Sequence, residues 1–260
     1  MRILVANDDG IYSPGLAALA RVAHHFGEVH VVAPQVEQSA ASHSITASRP
    51  LSYRRTRQLG EIEAYSVDGT PADCVALGIY NWKDVDVVLS GINRGVNMGN
   101  GLWHSGTVAA AKQATLFGLR GIAFSAPSND DDAYYASLEP HVQRVLERLL
   151  ARDAGRLINV NLPPSPIGMS WTRQALRHYD GKIVPDEDPM GRRHFWFTVV
   201  PVEETEAGTD LWAFSRGYIT MTPLSLDLTD GAELERLRAL IPLHQPRAAE
   251  RETEPAEEDE

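Results

Sequence analysis

A strand–helix–strand pattern runs through residues 2–34, RILVANDDGIYSPGLAALARVAHHFGEVHVVAP. Two short apolar runs, residues 2–6 and 29–33, predict buried strands, because each run is bounded by polar or turn-forming residues. Between them, Ser13 and Pro14 are typical of a helix N-cap followed by proline in the first turn, and an apolar helical stripe follows. The pattern predicts two parallel strands joined by a right-handed helical crossover.

The same alternation continues to about residue 165. The predicted strands are 62–67, 85–89, 121–125 and 157–163, and the predicted helices are 70–78, 107–119 and 138–151. Thr70-Pro71-Ala72-Asp73 is typical of a capped start for the first of these helices. Strands that alternate with helices predict an α/β fold, here a three-layer, Rossmann-like arrangement with a mostly parallel sheet. Residues 170–228 are strand- and turn-like and predict a β-rich C-terminal extension, which a last helix near 230–240 follows.

The chain has 260 residues, which favours one α/β domain with a sizeable core. We expect this domain to span residues 1–244, with its core at 1–165 and a β-rich extension with oligomerisation elements at 166–244. Residues 245–260 predict an acidic, disordered tail, because they contain no aromatic or β-branched aliphatic residue. Residues 247–260 carry −5 of the formal net charge of −11, so much of the acidity lies outside the predicted domain.

Composition excludes several classes of protein. The excess of acidic residues disfavours binding of long nucleic acids but not of a single phosphate group. The single cysteine, Cys74, excludes an internal disulfide framework and a cysteine-rich zinc site. The sequence has neither a secretory signal pattern nor about 18 uninterrupted apolar residues, so we expect a cytoplasmic protein with no membrane partner. The fingerprints of dinucleotide-binding domains, P-loop NTPases and α/β-hydrolases are also absent from the sequence.

A pair of adjacent carboxylates follows the first predicted strand, in Asn7-Asp8-Asp9-Gly10. Ligands of open α/β sheets bind beyond the carboxyl ends of the strands, and a loop at this place lets both side chains turn toward one point. Two carboxylates favour a hard divalent cation such as Mg²⁺ or Mn²⁺. The alternative is a plain turn, since all four residue types are common in turns.

Two further polar loops follow predicted strands. The loop after strand 29–33 carries Ser39, whose hydroxyl suits a neutral metal ligand, a phosphate contact or a simple helix cap. Asn93 and Asn97 follow strand 85–89 and offer amide oxygens to a metal or amide hydrogens to a phosphate. Each loop alone is weak evidence, but their position at successive strand ends predicts one shared site.

A fourth loop leads into the helix that starts near residue 106. Ser105, Gly106 and Thr107 open this helix, and the free backbone N–H groups and positive dipole of a helix N-terminus form an anion site. Together, the loops predict a site for a metal ion and a phosphate. His43 and His104 lie in the same loops, and we expect them to support the site rather than to bind the ligand.

These motifs, taken in order, resemble the SurE family of stationary-phase survival proteins. The resemblance extends from residue 1 to about residue 230. It is carried by the stretches ILVANDDGIYSPGL, QSAASHSIT, GTPADCVALG, LSGINRGVNMG, WHSGTVAAAKQA and GYITMTPLSLDLT. Many members have glycine directly after the loop serine, where this chain has Ala40.

The resemblance implies a metal-dependent phosphomonoesterase that hydrolyses nucleoside 5′- and 3′-monophosphates to nucleoside and phosphate by a metal-activated water. Other small phosphomonoesters and short-chain polyphosphate are further implied substrates. The implied cofactor is one divalent metal ion per subunit, Mg²⁺ or Mn²⁺. The implied assembly is a homodimer or homotetramer.

The resemblance also implies a role for each site residue. By motif, the implied metal ligands are Asp8, Asp9, Ser39 and Asn93, and Asp8 or Asp9 is the catalytic group that acts on the water. The implied phosphate-binding residues are Asn97, Ser105, Gly106 and Thr107.

The sequence leaves two alternatives to this function open. One is a module that senses a nucleotide or phosphate through the same loops without turnover, which would not need both carboxylates. The other is a phosphatase with an aspartyl nucleophile, which usually spaces its acids as D-x-D, whereas Asp8 and Asp9 are adjacent.

Overall fold

A computed structural model describes residues 1–151, 155–176, 179–201 and 205–241. Met1–Leu226 forms one compact unit, and Asp227–Glu260 forms a second. The described part of the second unit contains helix α6, Gly231–Leu240, which Asp230 caps. The tail predicted at 245–260 lies outside the described residues, and the domain boundary at residue 244 stays a prediction.

A nine-stranded sheet forms the middle layer of the first unit, in the order β3-β4-β2-β1-β5-β6-β7-β11-β8. Most neighbouring strands are parallel, while the β3–β4 and β7–β11 pairs are antiparallel. Its strands are β1 Arg2–Ala6, β2 Glu28–Pro34, β3 Tyr53–Thr56, β4 Glu63–Val67, β5 Val87–Arg94, β6 Arg120–Ala126, β7 Leu157–Asn161, β8 Gly168–Trp171 and β11 Tyr218–Pro223. The pattern confirms the predicted mostly parallel sheet.

Helices cover both faces of this sheet. In β1, Ile3 and Val5 pack in one hydrophobic cluster while Leu4 and Ala6 pack in another, because successive side chains of a strand point to opposite faces. The first cluster includes residues of α1, Pro14–His24, and α4, Asp132–Leu150. The second includes residues of α2, Pro71–Asn81, and α3, Gly106–Leu116. The predicted three-layer, Rossmann-like α/β fold is confirmed.

Helix starts follow the capping residues in the sequence. Ser13 caps α1 by accepting a hydrogen bond from the Leu16 N–H, with Pro14 in the first turn. Thr70 caps α2 in a reciprocal capping box with Asp73. Both helices were predicted from these residues.

Helix α4 begins earlier than the predicted residue 138. Asp131 caps it by accepting the Ala133 N–H, so the helix includes residues 132–137 as well. Tyr135 and Leu138 are buried and extend the apolar stripe by a further turn toward the N-terminus. Strand β3 was not predicted, because its four residues, YRRT, are mostly polar and occupy the edge of the sheet.

The C-terminal part of the first unit is β-rich, as predicted. Strands β8 and β11 join the main sheet, while β9, Tyr179–Glu187, and β10, Arg193–Pro201, form a separate antiparallel hairpin. A short helix, α5, Asp210–Phe214, interrupts the region that was predicted as strand and turn. None of the described helices has the length and apolarity required to cross a membrane.

Candidate metal and phosphate site

The predicted loops converge at one edge of the sheet. Strand β1 lies between β2 and β5, so the chain crosses to opposite sides of β1 at this point. Such a reversal of strand order opens a crevice beyond the carboxyl ends of the strands. The loops after β1, β2 and β5 and the N-terminus of α3 all border this crevice.

The Asn7 side chain stabilises the Asn7–Gly10 turn after β1. Asn7 Nδ2 donates to the Gly10 carbonyl at 2.9 Å, and the Gly10 N–H donates to Asn7 Oδ1 at 3.2 Å. Gly10 has a φ of +97°, a conformation that other residues rarely adopt. Residues 7–10 therefore form a turn, which was the alternative to a metal-binding loop. The turn also fixes the positions of the two carboxylates that lie within it.

Asp8 is directed at the start of α3. The Thr107 hydroxyl donates to Asp8 Oδ1 at 2.6 Å, and both side chains are buried. A Cβ on Gly106 would lie 2.8 Å from Asp8 Cβ and 2.9 Å from Asp8 Oδ2, so only glycine admits this close approach. Burial raises the pKa of Asp8, and hydrogen bonds from Thr107 act in the opposite direction.

Asp9 lies on the β5 side of the turn. The Arg94 backbone N–H donates to Asp9 Oδ2 at 3.1 Å. Burial, followed by the neighbouring negative charge of Asp8, raises the pKa of Asp9 to about 7. A carboxylate whose ionisation is opposed by burial and by a neighbouring negative charge is stabilised in its ionised form by a nearby cation.

The chemistry of this donor set fits a hard divalent cation. Asp8 and Asp9 supply carboxylate oxygens, the preferred ligands of Mg²⁺ and Mn²⁺. Asn93 Nδ2 donates to the Gly95 carbonyl at 2.7 Å, which leaves Asn93 Oδ1 as an acceptor. The described residues contain no cluster of three or more His, Cys, Asp or Glu side chains in metal-binding geometry, so neutral oxygens have to complete the set.

The loop after β2 approaches the turn through its backbone. The Gln38 N–H donates to the Asp8 carbonyl at 2.8 Å. The Ser39 side chain is exposed, and its hydroxyl donates to Glu37 rather than to Asp8 or Asp9. Ala40 has a φ of +56°, which accounts for the preference for glycine that its place in the motif implies.

Glu37 is a site residue that the sequence reasoning missed. Its carboxylate accepts the Ser39 hydroxyl and raises the pKa of both Asp8 and Asp9 through its negative charge. In the sequence it is one exposed acid in a polar loop, and only the folded chain places it beside the pair. A third negative charge increases the need for a cation.

Asn97 is clamped by polar residues of two buried strands. Its N–H donates to Asn161 Oδ1 at 2.8 Å, and its carbonyl accepts from Asn159 and Asn161 Nδ2 at 2.8 and 3.0 Å. Its side-chain Nδ2 donates to Ser125 Oγ at 2.9 Å and lies 3.4 Å from Thr107 Oγ1. The clamp was missed, although two asparagines at alternate positions of an otherwise apolar strand were a usable signal.

The N-terminus of α3 is built as predicted from Ser105. The Ser105 Oγ accepts the Val108 N–H at 3.0 Å, which fixes the first turn of the helix. The backbone N–H groups of Gly106 and Thr107 belong to that turn, next to Asp8. The arrangement can bind an anion through N–H groups and the helix dipole.

The two histidines lie beside the site without contacting the aspartates. His43 Nε2 is 2.7 Å from Gln113 Oε1 on α3. The His104 carbonyl accepts the Ser42 N–H at 3.1 Å, which joins the β2 loop to the segment before α3. These contacts agree with the expected supporting role.

A cavity of about 390 Å³ opens on the other side of Asp9. Its walls include Tyr12 and Ser13 at the start of α1, Val36 and Glu37 of the β2 loop, and Arg94 at the end of β5. Asp9 also lines the cavity, which is therefore adjacent to one carboxylate of the pair.

Comparisons with known proteins address the family of this chain. The family model described as Survival protein SurE matches residues 3–181. The chain is 46% identical over 246 residues to 5′-nucleotidase SurE 1 of Thermus thermophilus, covering 93% of this chain and 98% of the relative. It is 43% identical over 248 residues to 5′-nucleotidase SurE of Geotalea uraniireducens, covering 92% and 98%.

A solved structure gives the same result for the fold. The SurE protein of Aquifex aeolicus superposes with a TM-score of 0.80 at 34% sequence identity, covering 92% of this chain and 99% of that one. The family resemblance predicted from the motifs is thus confirmed over most of the chain, and this protein belongs to the SurE family.

Proposed function

We propose that this protein is a divalent-metal-dependent 5′-nucleotidase that hydrolyses nucleoside monophosphates to nucleoside and phosphate. The observation that carries the proposal is the adjacent pair Asp8 and Asp9, in which Asp8 is buried and directed at the N-terminus of α3 and Asp9 is partly buried. The names of the curated SurE relatives support the choice of substrate.

The N-terminus of α3 is the place for the phosphate. Backbone N–H groups at Gly106 and Thr107 donate to phosphoryl oxygens. Ser105 is the N-cap of the same helix, and its hydroxyl is a further donor for the phosphate. Asn97, held by Asn159 and Asn161, keeps the segment before α3 in place. Preorganised donors of this kind stabilise the charge that develops in phosphoryl transfer.

Asp8, Asp9, Ser39 and Asn93 would hold one Mg²⁺ or Mn²⁺ ion per subunit. When bound, such an ion supplies Lewis acidity, which neutralises phosphoryl charge and acidifies a water molecule. The carboxylate of Asp8 or Asp9 would orient the attacking water and accept its proton. A fixed Asn7–Gly10 turn keeps both carboxylates in register with the phosphate.

The test of this function is phosphate release from a panel of nucleoside 5′- and 3′-monophosphates, p-nitrophenyl phosphate and short polyphosphate. We expect turnover with Mn²⁺ or Mg²⁺ and its loss with EDTA. Metal-independent turnover would contradict the mechanism, and nucleotide binding without turnover would favour the sensing module. Hydrolysis of 3′-monophosphates and polyphosphate, and a cytoplasmic location, stay predictions from the sequence.

Metal affinity is expected to depend on pH through Asp9. Because the folded-state pKa of Asp9 is about 7 in the metal-free protein, a cation must displace its proton below that pH. We expect the association constant for Mn²⁺ to rise about tenfold per pH unit between pH 5 and 7 and to level off above pH 7. Isothermal titration calorimetry at a series of pH values measures this slope.

The raised pKa of Asp9 also determines how the free energy of unfolding of the metal-free protein changes with pH. The folded metal-free protein retains the Asp9 proton up to about pH 7, whereas the unfolded chain releases it near pH 3.8. The free energy of unfolding therefore falls as the pH rises from about 4 to 7. The Asp9→Asn variant should lose part of this decrease and bind Mn²⁺ more weakly, with a smaller pH dependence, because of the pair only Asp8 then retains a raised pKa. A decrease as large as that of the wild type would contradict the assignment.

We further propose that the protein forms a homo-oligomer through the β9–β10 hairpin. Phe195 and Phe197 lie on one face of β10 and Trp196 on the other, and each is more than half exposed. A two-stranded hairpin is marginal in water, and apolar residues exposed on both faces mark an interaction surface. A second copy of this chain, as the sequence predicts, would cover them.

Charge placed on the hairpin should break this association. We expect Trp196→Asp and Phe197→Asp to shift the molar mass in light scattering to that of the 28.6 kDa monomer. Tyr80→Asp, which alters a more exposed aromatic residue on α2, is the control and should leave the mass unchanged. A monomeric wild-type protein at micromolar concentration would contradict the proposal.

A further inference from the structure

The cavity beside Asp9 contains groups that the hydrolytic step does not use. Tyr12 and Val36 supply apolar surface, and each is more than 60% exposed. Glu37 and Arg94 supply an acceptor and a donor. A concave space of about 390 Å³ with mixed apolar and polar walls falls in the range of small-molecule pockets, about 300–1,000 Å³.

The position of the cavity limits what it can hold. Asp8 borders the phosphate-binding start of α3, while Asp9 borders the cavity, and consecutive Cα atoms are only about 3.8 Å apart. A phosphomonoester bound at α3 therefore has its ester-linked group within reach of the cavity. The fixed turn at Asn7–Gly10 keeps these two compartments adjacent.

We propose that this cavity binds the nucleoside of the substrate and that the Tyr12 ring is the platform on which the base stacks. The inference rests on the proposed nucleotidase function and deepens it. Tyr12 is 68% exposed and lines the cavity at the start of α1, so one face of its ring is available to a flat ligand. Base–aromatic stacking tolerates different bases, because every base has a π-face.

A second exposed aromatic residue near the site is an alternative platform for the base. Trp103 is 57% exposed and ends the short 3-10 helix, Gly99–Trp103, that precedes Ser105. Its carbonyl accepts the Ser42 hydroxyl at 2.7 Å, and Trp103 is not among the residues that line the cavity. The cavity selects Tyr12 over Trp103 as the platform.

The experiment compares adenosine 5′-monophosphate with ribose 5-phosphate, which has the same phosphate ester and no base. For Tyr12→Ala we expect the ratio of kcat/KM for the nucleotide over ribose 5-phosphate to fall about tenfold, and for Tyr12→Phe to stay within about twofold. Tyr80→Ala, at a 79% exposed tyrosine on α2, is the matched control and should preserve the ratio. Calorimetric binding of adenosine 5′-monophosphate in the presence of Mn²⁺ should weaken by the same factor.

The outcomes separate the inference from the function on which it rests. An unchanged ratio in Tyr12→Ala, or a fall in Trp103→Ala instead, would overturn the Tyr12 platform while leaving the nucleotidase function in place. Absence of turnover with both substrates would contradict the function. The binding measurement would then still decide the platform, since unchanged affinity in Tyr12→Ala would exclude it and a tenfold loss would support it.

Discussion

Asp8→Asn is expected to lower kcat for nucleotide hydrolysis by at least about 10³-fold while the protein stays folded. The substitution preserves an oxygen that accepts the Thr107 hydroxyl but removes the negative charge that helps to hold the cation. Lewis-acid stabilisation supplies several kcal/mol to a transition state, and about 4 kcal/mol corresponds to this factor. Phosphate release measured with saturating Mn²⁺ tests the expectation.

The electrostatics of the site predict that this variant is not destabilised. Burial raises the pKa of Asp8, so the ionised side chain costs free energy in the metal-free protein, and a neutral asparagine avoids that cost. We expect its melting temperature without metal to equal or exceed that of the wild type, and the stabilisation by Mn²⁺ to be lost.

A surface carboxylate gives the control for the loss of charge. Asp84 pairs with Arg2 at the opposite end of β1, and its side chain is 87% exposed. Asp84→Asn removes the same charge and should retain the wild-type rate. Near-wild-type turnover in Asp8→Asn would exclude Asp8 as a metal ligand.

The sequence was sufficient to predict most strands of the sheet, although not β3, and the loops that border the site. Short apolar runs predicted β1, β2, β5, β6 and β7, because a buried parallel strand needs apolar residues on both faces. The capping residues Ser13, Thr70 and Ser105 predicted three helix starts, since a cap acts within four residues. These features depend on neighbours along the chain.

The remaining features depend on contacts between distant residues. Asn161 contacts Asn97 across 64 positions, and the Arg94 N–H reaches Asp9 across 85. Glu37 is close in sequence to Ser39, but its effect on Asp8 and Asp9 arises only when β2 lies beside β1. A local pattern marks at most one partner of such a contact, as the two asparagines of β7 do, so the support of the site could not be predicted in detail.

Gly106→Ala is expected to lower kcat/KM about 10²-fold. The added Cβ would lie 2.8 Å from Asp8 Cβ and 2.9 Å from Asp8 Oδ2, closer than Cβ atoms approach other atoms in real structures. Either Asp8 or the start of α3 must therefore shift, and a displacement of about 1 Å at a reacting centre can cost this factor. We expect the free energy of unfolding to fall by about 1–3 kcal/mol, the cost of overpacking, in chemical denaturation.

Gly231→Ala separates this steric effect from the helix propensity of alanine. Gly231 also occupies the first position of a helix, after the N-cap Asp230, but a Cβ there meets no atom within 4 Å. Alanine is the better helix former, so Gly231→Ala should be neutral or slightly stabilising and fully active. If Gly106→Ala behaved in the same way, Asp8 and α3 would not be in the contact that defines the site. If only Gly106→Ala loses activity, the absence of a side chain at residue 106 is what lets the carboxylate meet the helix N-terminus.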